Sequence, residues 1–225
     1  MSDTPSAAEP DAARTTARTL LEIGAVHCNP AEPFRLTSGR LSPVYIDCRK
    51  VISYPKDRAR LMDLAVALIE REVGADSLDA VAGGETAGIP FAAWIAERMD
   101  LPMLYVRKEP KGFGRMAQIE GDMAEGARVL LVEDLATDGA SKVRFCNALA
   151  KAGARVGHAF VLFHYGIFPE STAVLAEIGV RLHALATWWD VLAEAERGGY
   201  FDDDALREMK AYLTEPDAWA AARSG

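Results

Sequence analysis

Apolar residues occur in short runs along the chain, and amphipathic stretches lie between most of these runs. The runs that predict β-strands span 79–82, 101–106, 128–132, 155–163 and 181–186. The stretches that predict helices between them span 90–99, 141–152 and 170–178. Strands that alternate with helices typically form a parallel sheet with helices on both faces. The pattern therefore predicts an α/β fold.

Further elements are predicted on either side of this core. One-sided helices are expected over 11–26 and 57–73, short strands at 34–36 and 44–46, and closing helices over 188–196 and 203–214. Residues 1–10 are small and polar, a composition that does not favour order, so we predict a disordered tail before a single domain over 11–225. Its expected parts are an N-terminal helix and hood at 11–55, a core at 56–186 and C-terminal helices at 187–225.

Composition and charge narrow the class of protein. Half of the 225 residues are hydrophobic, which is enough for one packed core. The net charge of -8 argues against nonspecific binding to nucleic acid or anionic lipid. No apolar run approaches the ~20 residues of a membrane span, and the 3 cysteines lie far apart without a metal-binding or disulfide pattern. We expect a cytoplasmic protein with no nucleic-acid or membrane partner.

The most informative segment is an apolar strand followed by Glu133 and Asp134, a small polar turn and a helix. Ligands collect at the carboxyl ends of parallel strands, and free backbone N–H groups at a helix N-terminus favour anions. Two carboxylates beside such a site are suitable acceptors for the hydroxyls of a ribose. The segment predicts a ribose-phosphate site, whose further expected contacts are Leu135, Ala136, Thr137, Asp138, Gly139, Ala140 and Ser141.

The same segment has a simpler interpretation, in which the two acids end an ordinary strand and Asp138 and Gly139 form an ordinary turn. The chain has neither a G-x-x-x-x-G-K-[ST] motif nor a G-x-G-x-x-G motif after a strand. Kinase-type and dinucleotide-type phosphate sites are therefore disfavoured. Other segments must decide between a ribose-phosphate site and a plain turn.

Residues 108–127 do not fit the alternation of strands and helices. The stretch holds four glycines, a proline and charges of both signs, with no apolar period. A loop of this length in a compact domain is typically a lid, a binding loop or disordered. Arg107, Lys108 and Lys111 lie near its start, where they form either a solvated basic cluster or a set of ligands for an anion.

The segment from Val129 to Ser141 resembles the phosphoribosyl pyrophosphate motif of type I phosphoribosyltransferases. Segments 34–47, 82–90 and 105–114 are similar to those of orotate phosphoribosyltransferases and occur in that family's order. The resemblance covers residues 34–141, and the later residues match only by their pattern of elements. It implies a central parallel sheet flanked by helices, with a small N-terminal hood and a C-terminal helical extension.

The resemblance also implies a reaction. A pyrimidine ring nitrogen of orotate displaces pyrophosphate from C1 of phosphoribosyl pyrophosphate, and Mg²⁺ is bound mainly by the substrate's pyrophosphate rather than by the protein. Lys111 would stabilise the departing pyrophosphate, while Glu133 and Asp134 would hold the ribose beside the cationic C1. The chain would form a homodimer in which each lid closes over the neighbouring subunit's site.

Further substrate contacts are implied by the same resemblance. They are Arg107 and Lys108 at the pyrophosphate, Thr86 and Ala87 in a glycine-rich turn, and Tyr45 and Ile46 beside the pyrimidine. Tyr45 and Ile46 have core packing as an equal alternative. Arg40 and Arg49 are the candidates for binding the orotate carboxylate.

The sequence departs from the family pattern at several positions. A lysine is common in the family where Thr37 and Ala87 stand, a histidine is common in place of Phe113, and many members have an arginine within 163–166. These departures leave two alternatives to orotate phosphoribosyl transfer. One is a phosphoribosyltransferase for another nucleobase, and the other is a relative that senses nucleotides without catalysis.

Overall fold

The computed structural model describes residues 11–36, 39–112 and 118–223, and the predicted disordered tail lies outside them. The helices are α1 (Ala12–Glu22), α2 (Pro55–Glu72), α3 (Gly88–Met99), α4 (Ala140–Lys151), α5 (Glu170–Ala176), α6 (Trp188–Gly198), α7 (Asp203–Thr214) and α8 (Pro216–Ala221). The strands are β1 (Val26–Cys28), β2 (Phe34–Arg35), β3 (Leu41–Ser42), β4 (Val44–Ile46), β5 (Ala80–Gly84), β6 (Met103–Val106), β7 (Ile119–Glu120), β8 (Arg128–Ala136), β9 (Arg155–His164) and β10 (Arg181–Thr187). Short 3-10 helices span Cys48–Ser53 and Ala75–Ser77. Every helix and strand that the sequence predicts is present, with ends that differ by a few residues.

Six strands form the central sheet in the order β10-β9-β8-β5-β6-β7. The first five are parallel, as predicted, and β7 pairs antiparallel with β6. Strand β7 lies inside the stretch 108–127, which the sequence analysis predicts to be a loop. A strand of two residues is too short to show an alternating pattern, so only its pairing with β6 identifies it.

Alternate residues of β8 enter apolar cores on opposite faces of the sheet. Leu130 and Val132 belong to the core that includes side chains of α1, α2, α3 and the C-terminal helices. Val129 and Leu131 belong to the second core, with side chains of α4 and α5. Because strand side chains alternate between the faces, a nearly continuous apolar run is required to fill both cores. This confirms the predicted sheet with helices on both faces.

The hood consists of two small antiparallel pairs, β1 with β4 and β2 with β3. The strand-like segments predicted at 34–36 and 44–46 therefore exist but do not pair with each other. Pro43 separates β3 from β4, and Ser42 Oγ donates to Val44 O at 2.7 Å while it accepts from Val44 N at 3.2 Å. This local turn redirects the chain between the two pairs. Thr37 lies outside the described residues.

Capping residues fix the helices of the C-terminal extension. Asp202 accepts a hydrogen bond from Ala205 N at 2.7 Å, so α7 begins at the predicted residue. Thr187 and Asp190 form a capping box at the start of α6. Helix α8, which begins with a proline, is not predicted from the sequence.

None of the helices within the described ranges is long and apolar enough to cross a membrane. The division into hood, core and C-terminal helices stays a prediction. The fold itself matters for function because it leaves the carboxyl ends of β5, β6 and β8 open beside the hood.

Candidate active site

Two cavities lie at the carboxyl ends of the central strands. The larger has a volume of about 700 Å³. Its lining comes from the 3-10 helix after β4, the turn between β5 and α3, the loop after β6, the end of β8 and the start of α4: Arg49, Ile52, Glu85, Thr86, Ala87, Pro90, Lys108, Glu109, Gln118, Glu133, Ser141, Arg144 and Phe145.

The smaller cavity has a volume of about 300 Å³ and lies between the hood and the end of β8. It is lined by Arg35, Leu36, Tyr45, Ile46, Asp47, Cys48, Arg49, Ala87, Asp134, Leu135, Thr137 and Tyr165. Arg49 and Ala87 line both cavities, so the two are neighbours. A ligand with two chemically different ends can therefore occupy both at once.

Glu133 and Asp134 lie on β8 itself, because this strand continues to Ala136 rather than ending at Val132 as predicted. Strand β9 holds the extension in place by pairing opposite Glu133, Leu135 and Ala136. Successive strand residues point to opposite faces, so Glu133 lines the larger cavity and Asp134 the smaller. The prediction that both acids follow the strand is therefore corrected, because they belong to it.

Two glycines leave room for the Glu133 side chain against the turn between β5 and α3. A Cβ atom at Gly84 or Gly88 would collide with Glu133 Oε1. From the sequence, this glycine-rich turn is predicted only to contact the substrate, through Thr86 and Ala87. The structure gives it a second role, which is close approach to the Glu133 carboxylate.

The Glu133 carboxylate is only 7% exposed. Its Oε2 lies 3.6 Å from Lys142 Nζ, and its Oε1 has no hydrogen-bond partner among the described residues. Burial raises the pKa of Glu133 to about 7, against the opposing effect of Lys142. Burial also raises the pKa of Asp134, and the charges of Lys142 and Arg49 oppose that rise.

The turn that follows β8 leads into α4 at Gly139, whose φ of 82° is in the left-handed region. Asp138 Oδ1 accepts from Ala140 N at 3.1 Å. The amide of Ala140 is therefore already bonded, in contrast to the predicted row of free amides.

Ala136 is fully buried and its carbonyl accepts from Tyr165 N at 2.9 Å, so its contribution is structural. Thr137 and Ser141 line the smaller and larger cavity respectively.

The three predicted pyrophosphate cations are placed differently. Lys108 lines the larger cavity, and its backbone N–H donates to Glu85 Oε2 at 2.7 Å. Arg107 Nη1 and Lys111 Nζ lie 3.4 and 3.8 Å from Glu120 Oε1 on β7. The Lys111 side chain is 72% exposed. Its predicted contact with pyrophosphate therefore requires movement away from Glu120. Phe113, next along the loop, lies outside the described residues.

The remaining predicted contacts all border one or both of the cavities. Tyr45 packs in an aromatic cluster with Phe34, with ring centroids 5.6 Å apart, and borders the smaller cavity. Ile46 is 2% exposed and is chiefly a core residue. Thr86 and Ala87 border the larger cavity, and the peptide bond between Glu85 and Thr86 is cis.

Of the two arginine candidates for a carboxylate ligand, only Arg49 borders the cavities. Its Nη2 donates to Tyr45 Oη at 3.2 Å and its Nε to Asp47 Oδ1 at 2.7 Å. Arg40 instead lies 3.3 Å from Glu170 and stacks over the Phe168 ring at 4.6 Å. Arg35 is a second cation of the smaller cavity that the sequence analysis missed.

Lys142 and Arg144, in the first five residues of α4, were not predicted as site residues. They lie just after the predicted phosphate segment, and two cations spaced by two residues at a helix start are a signal that could have identified them. Arg144 lines the larger cavity, whereas Lys142 is buried beneath the turn.

Comparison with known proteins defines the class first. A model of the phosphoribosyl transferase domain matches residues 56–167. The crystal structure of orotate phosphoribosyltransferase from Aeropyrum pernix is 36% identical, with a TM-score of 0.69 over 83% of this chain and 99% of that one. UMP synthase from Leishmania donovani is 28% identical, with a TM-score of 0.76 over 89% of this chain and 42% of that longer one. The fold is that of the type I phosphoribosyltransferases.

Sequence relatives then define the family. Orotate phosphoribosyltransferase of Roseobacter denitrificans is 59% identical over 218 residues, which are 96% of this chain and 97% of that protein. The enzyme of the same name from Dinoroseobacter shibae is 59% identical over 210 residues, 93% of each chain. The chain belongs to the orotate phosphoribosyltransferase family.

Proposed function

We propose that the protein transfers the 5-phosphoribosyl group of phosphoribosyl pyrophosphate to orotate. The products are orotidine 5'-monophosphate and pyrophosphate, in the biosynthesis of UMP. The observation that carries this proposal is the pair of adjoining cavities at the end of β8, with Glu133 in the lining of one and Asp134 in the lining of the other. Family membership at 59% identity over almost the whole chain supports the same activity.

The two cavities suit the two substrates. The smaller combines an aromatic ring, Tyr45, with the cations Arg35 and Arg49, a combination suited to a flat anionic pyrimidine. The larger offers Lys108 and Arg144 to a pyrophosphate. In this arrangement C1 of the ribose lies where the cavities adjoin. The bond from C1 to the pyrophosphate oxygen breaks, the bond to the orotate ring nitrogen forms, and the proton of that nitrogen is released.

Asp134 is the group best placed to stabilise the cationic C1. It lines the cavity proposed for the base, at the strand end that adjoins the larger cavity. Burial of this carboxylate strengthens its interaction with a developing positive charge, because fewer water molecules screen it. Glu133, whose carboxylate borders the pyrophosphate side, accepts a hydrogen bond from a ribose hydroxyl.

Mg²⁺ is proposed to bind through the pyrophosphate of the substrate. Within residues 11–36, 39–112 and 118–223 there is no group of three or more His, Cys, Asp or Glu side chains that could hold a metal ion. The larger cavity has room for a pyrophosphate with its ion. When bound, the ion neutralises part of the charge that the leaving group gains.

A lid and a homodimer belong to the same proposal. Lys111 is exposed and is paired with Glu120 rather than with a residue of the cavity lining. A lysine in that position is free to reach either its own site or that of a neighbouring subunit. We propose the second, in a homodimer. The free thiols of Cys28, Cys48 and Cys146 are consistent with a cytoplasmic location.

The proposed function is tested by assaying orotate, uracil, hypoxanthine and adenine as acceptors, each with Mg²⁺ and phosphoribosyl pyrophosphate. We expect pyrophosphate release with orotate alone. Turnover of a purine but not of orotate would reject the proposed acceptor. Binding of phosphoribosyl pyrophosphate without pyrophosphate release from any acceptor would support a nucleotide-sensing relative instead.

A further inference from the structure

Lys142 is a buried cation directly beneath the phosphate-binding turn. The residue is only 5% exposed, although lysine side chains usually reach solvent. Its ammonium donates to the carbonyl of Leu135 at the end of β8 and lies 3.1 Å from Ser141 Oγ at the start of α4. The Nζ atom is therefore fixed from both sides of the turn.

The third oxygen near this ammonium belongs to Glu133. Its Oε2 lies 3.6 Å from Lys142 Nζ, and both side chains are about nine-tenths buried. Two other charged groups among the described residues change the pKa of Glu133. Lys108, from the loop after β6, lowers this pKa, and it acts less strongly than Lys142. Asp134, on the same strand, raises it.

We propose that Lys142 is a positioning residue for the transfer reaction: it favours the ionised form of Glu133 and directs this carboxylate into the pyrophosphate cavity. The inference rests on the proposed function, because the ribose hydroxyl that Glu133 accepts belongs to that substrate. A buried carboxylate without a nearby cation takes up a proton. A protonated Glu133 loses one acceptor site to its own proton and loses the charge that strengthens the hydrogen bond from the ribose.

The geometry separates this role from simple packing. The two groups of the turn that Lys142 contacts are the Leu135 carbonyl and the Ser141 hydroxyl. Both are neutral acceptors, so a neutral donor could hold the turn equally well. Among the residues that the structure describes, Glu133 is the one charged group within 4 Å of the Lys142 ammonium. His164 on β9 is close enough for Lys142 to lower its pKa, but its Nε2 is hydrogen-bonded to Ser171 Oγ at 2.7 Å. The charge of Lys142 also opposes the rise in the pKa of Asp134, but Glu133 is the acid that its ammonium contacts.

The test compares Lys142→Met with the wild type over pH 6–9. Removing the ammonium is expected to raise the apparent pKa in the profile of kcat/KM for phosphoribosyl pyrophosphate by about one unit or more. The ratio of variant to wild type cancels titration of the substrates. At pH 7 we expect a loss of about fivefold or more, and at pH 9 activity within about twofold of wild type. Lys151→Met, on the exposed last turn of α4, is the matched control and should follow the wild-type profile.

A loss that is equal at pH 7 and pH 9 would overturn the proposal, since a packing defect does not depend on the charge of Glu133. If Lys142→Met fails to fold, the comparison moves to Glu133→Gln with and without Lys142→Met. There the lysine substitution should change kcat/KM by less than about threefold, because the carboxylate that Lys142 contacts is gone and its longer-range effect on Asp134 is shared with Arg49. A larger loss in that background would equally refute the proposal.

A spectroscopic readout keeps this inference separate from the proposed function. The side-chain carboxyl carbon of Glu133, assigned by its absence in Glu133→Gln, is titrated by ¹³C NMR in the wild type and in Lys142→Met. A higher pKa in the variant supports the role of Lys142 whichever base is the acceptor, and an unchanged pKa contradicts it. Failure of the wild type to use orotate would reject the proposed function alone.

Discussion

Replacing Glu133 by glutamine should change how the stability of the fold depends on pH. The pKa of this carboxyl is raised from 4.5 to about 7, with burial as the largest cause. Between these two values the folded protein holds a proton that the unfolded chain has released. The free energy of unfolding contributed by Glu133 is therefore fully present below pH 4.5 and is lost as the pH rises through 7.

The magnitude follows from the shift. A pKa difference between 4.5 and about 7, at roughly 1.4 kcal/mol per unit, corresponds to about 3 kcal/mol. Little discount for solvent is needed, because the residue is 7% exposed. Against a typical stability of 5–15 kcal/mol for a domain, on the order of 10 kcal/mol, this is a measurable fraction. The protein holds a carboxylate at its site at a considerable cost in stability above neutral pH.

Urea unfolding of wild type and Glu133→Gln at several pH values between 4.5 and 8.5 measures this effect. We expect the variant to gain about 3 kcal/mol relative to the wild type across that range. The absolute difference at any one pH also includes the loss of the partner of Lys142, so only its change with pH is diagnostic. Glu97→Gln, at an exposed position of α3, controls for removal of a surface carboxylate. A difference between Glu133→Gln and wild type that stays constant with pH would refute the reasoning.

Three further predictions concern the site. Asp134→Asn should lower kcat by one to three orders of magnitude, about 1.4 kcal/mol per tenfold. The melting temperature should not fall, because the substitution removes a buried charge. A large loss of stability with normal specific activity would make Asp134 structural. Lys111→Ala should reduce kcat more than it weakens substrate binding, since the contact forms mainly as charge builds on the pyrophosphate. Mixing Lys111→Ala with Asp134→Asn subunits should restore one site in each mixed dimer, and no recovery in verified mixed dimers would mean that each subunit closes its own lid.

The parallel core was predictable because each strand and helix carries its own periodicity. The apolar run at 128–132 fills two cores at once, and the helices of the core show apolar positions three and four residues apart. The bounds of α7 were predictable because Asp202 is a local cap, visible in the sequence. These features depend on neighbours within a few residues along the chain.

The hood was harder to predict because its pairing depends on contacts between short segments. Strands of two or three residues have no measurable period, and the partner of each is chosen by the turn at Pro43 and Ser42. Strand β7 is similar, since its pairing partner β6 lies across the loop. The same loop then places Glu120 beside Arg107 and Lys111, an ion-pair cluster that the sequence analysis did not foresee.

The site residues were identified correctly by type and less well by arrangement. An acidic pair in sequence suggests one shared function, but the pairing of β8 with β9 as far as Ala136 imposes an alternation on the two acids. Glu133 then faces the larger cavity and Asp134 the smaller one. Because β8 remains paired with β9 beyond Val132, its two adjacent carboxylates point into different cavities.

This division also explains why a lysine is buried next to one acid. Glu133 enters a space bounded by Gly84, Gly88 and Phe145, none of which supplies a charge. Asp134 faces the hood, where Arg49 opposes the effect of burial on its pKa. The acid on the pyrophosphate side has no such neighbour from the hood, so its cation comes from α4. Lys142 therefore opposes the effect of burial on both acids, while Arg49 adds a second cation on the side of Asp134 alone.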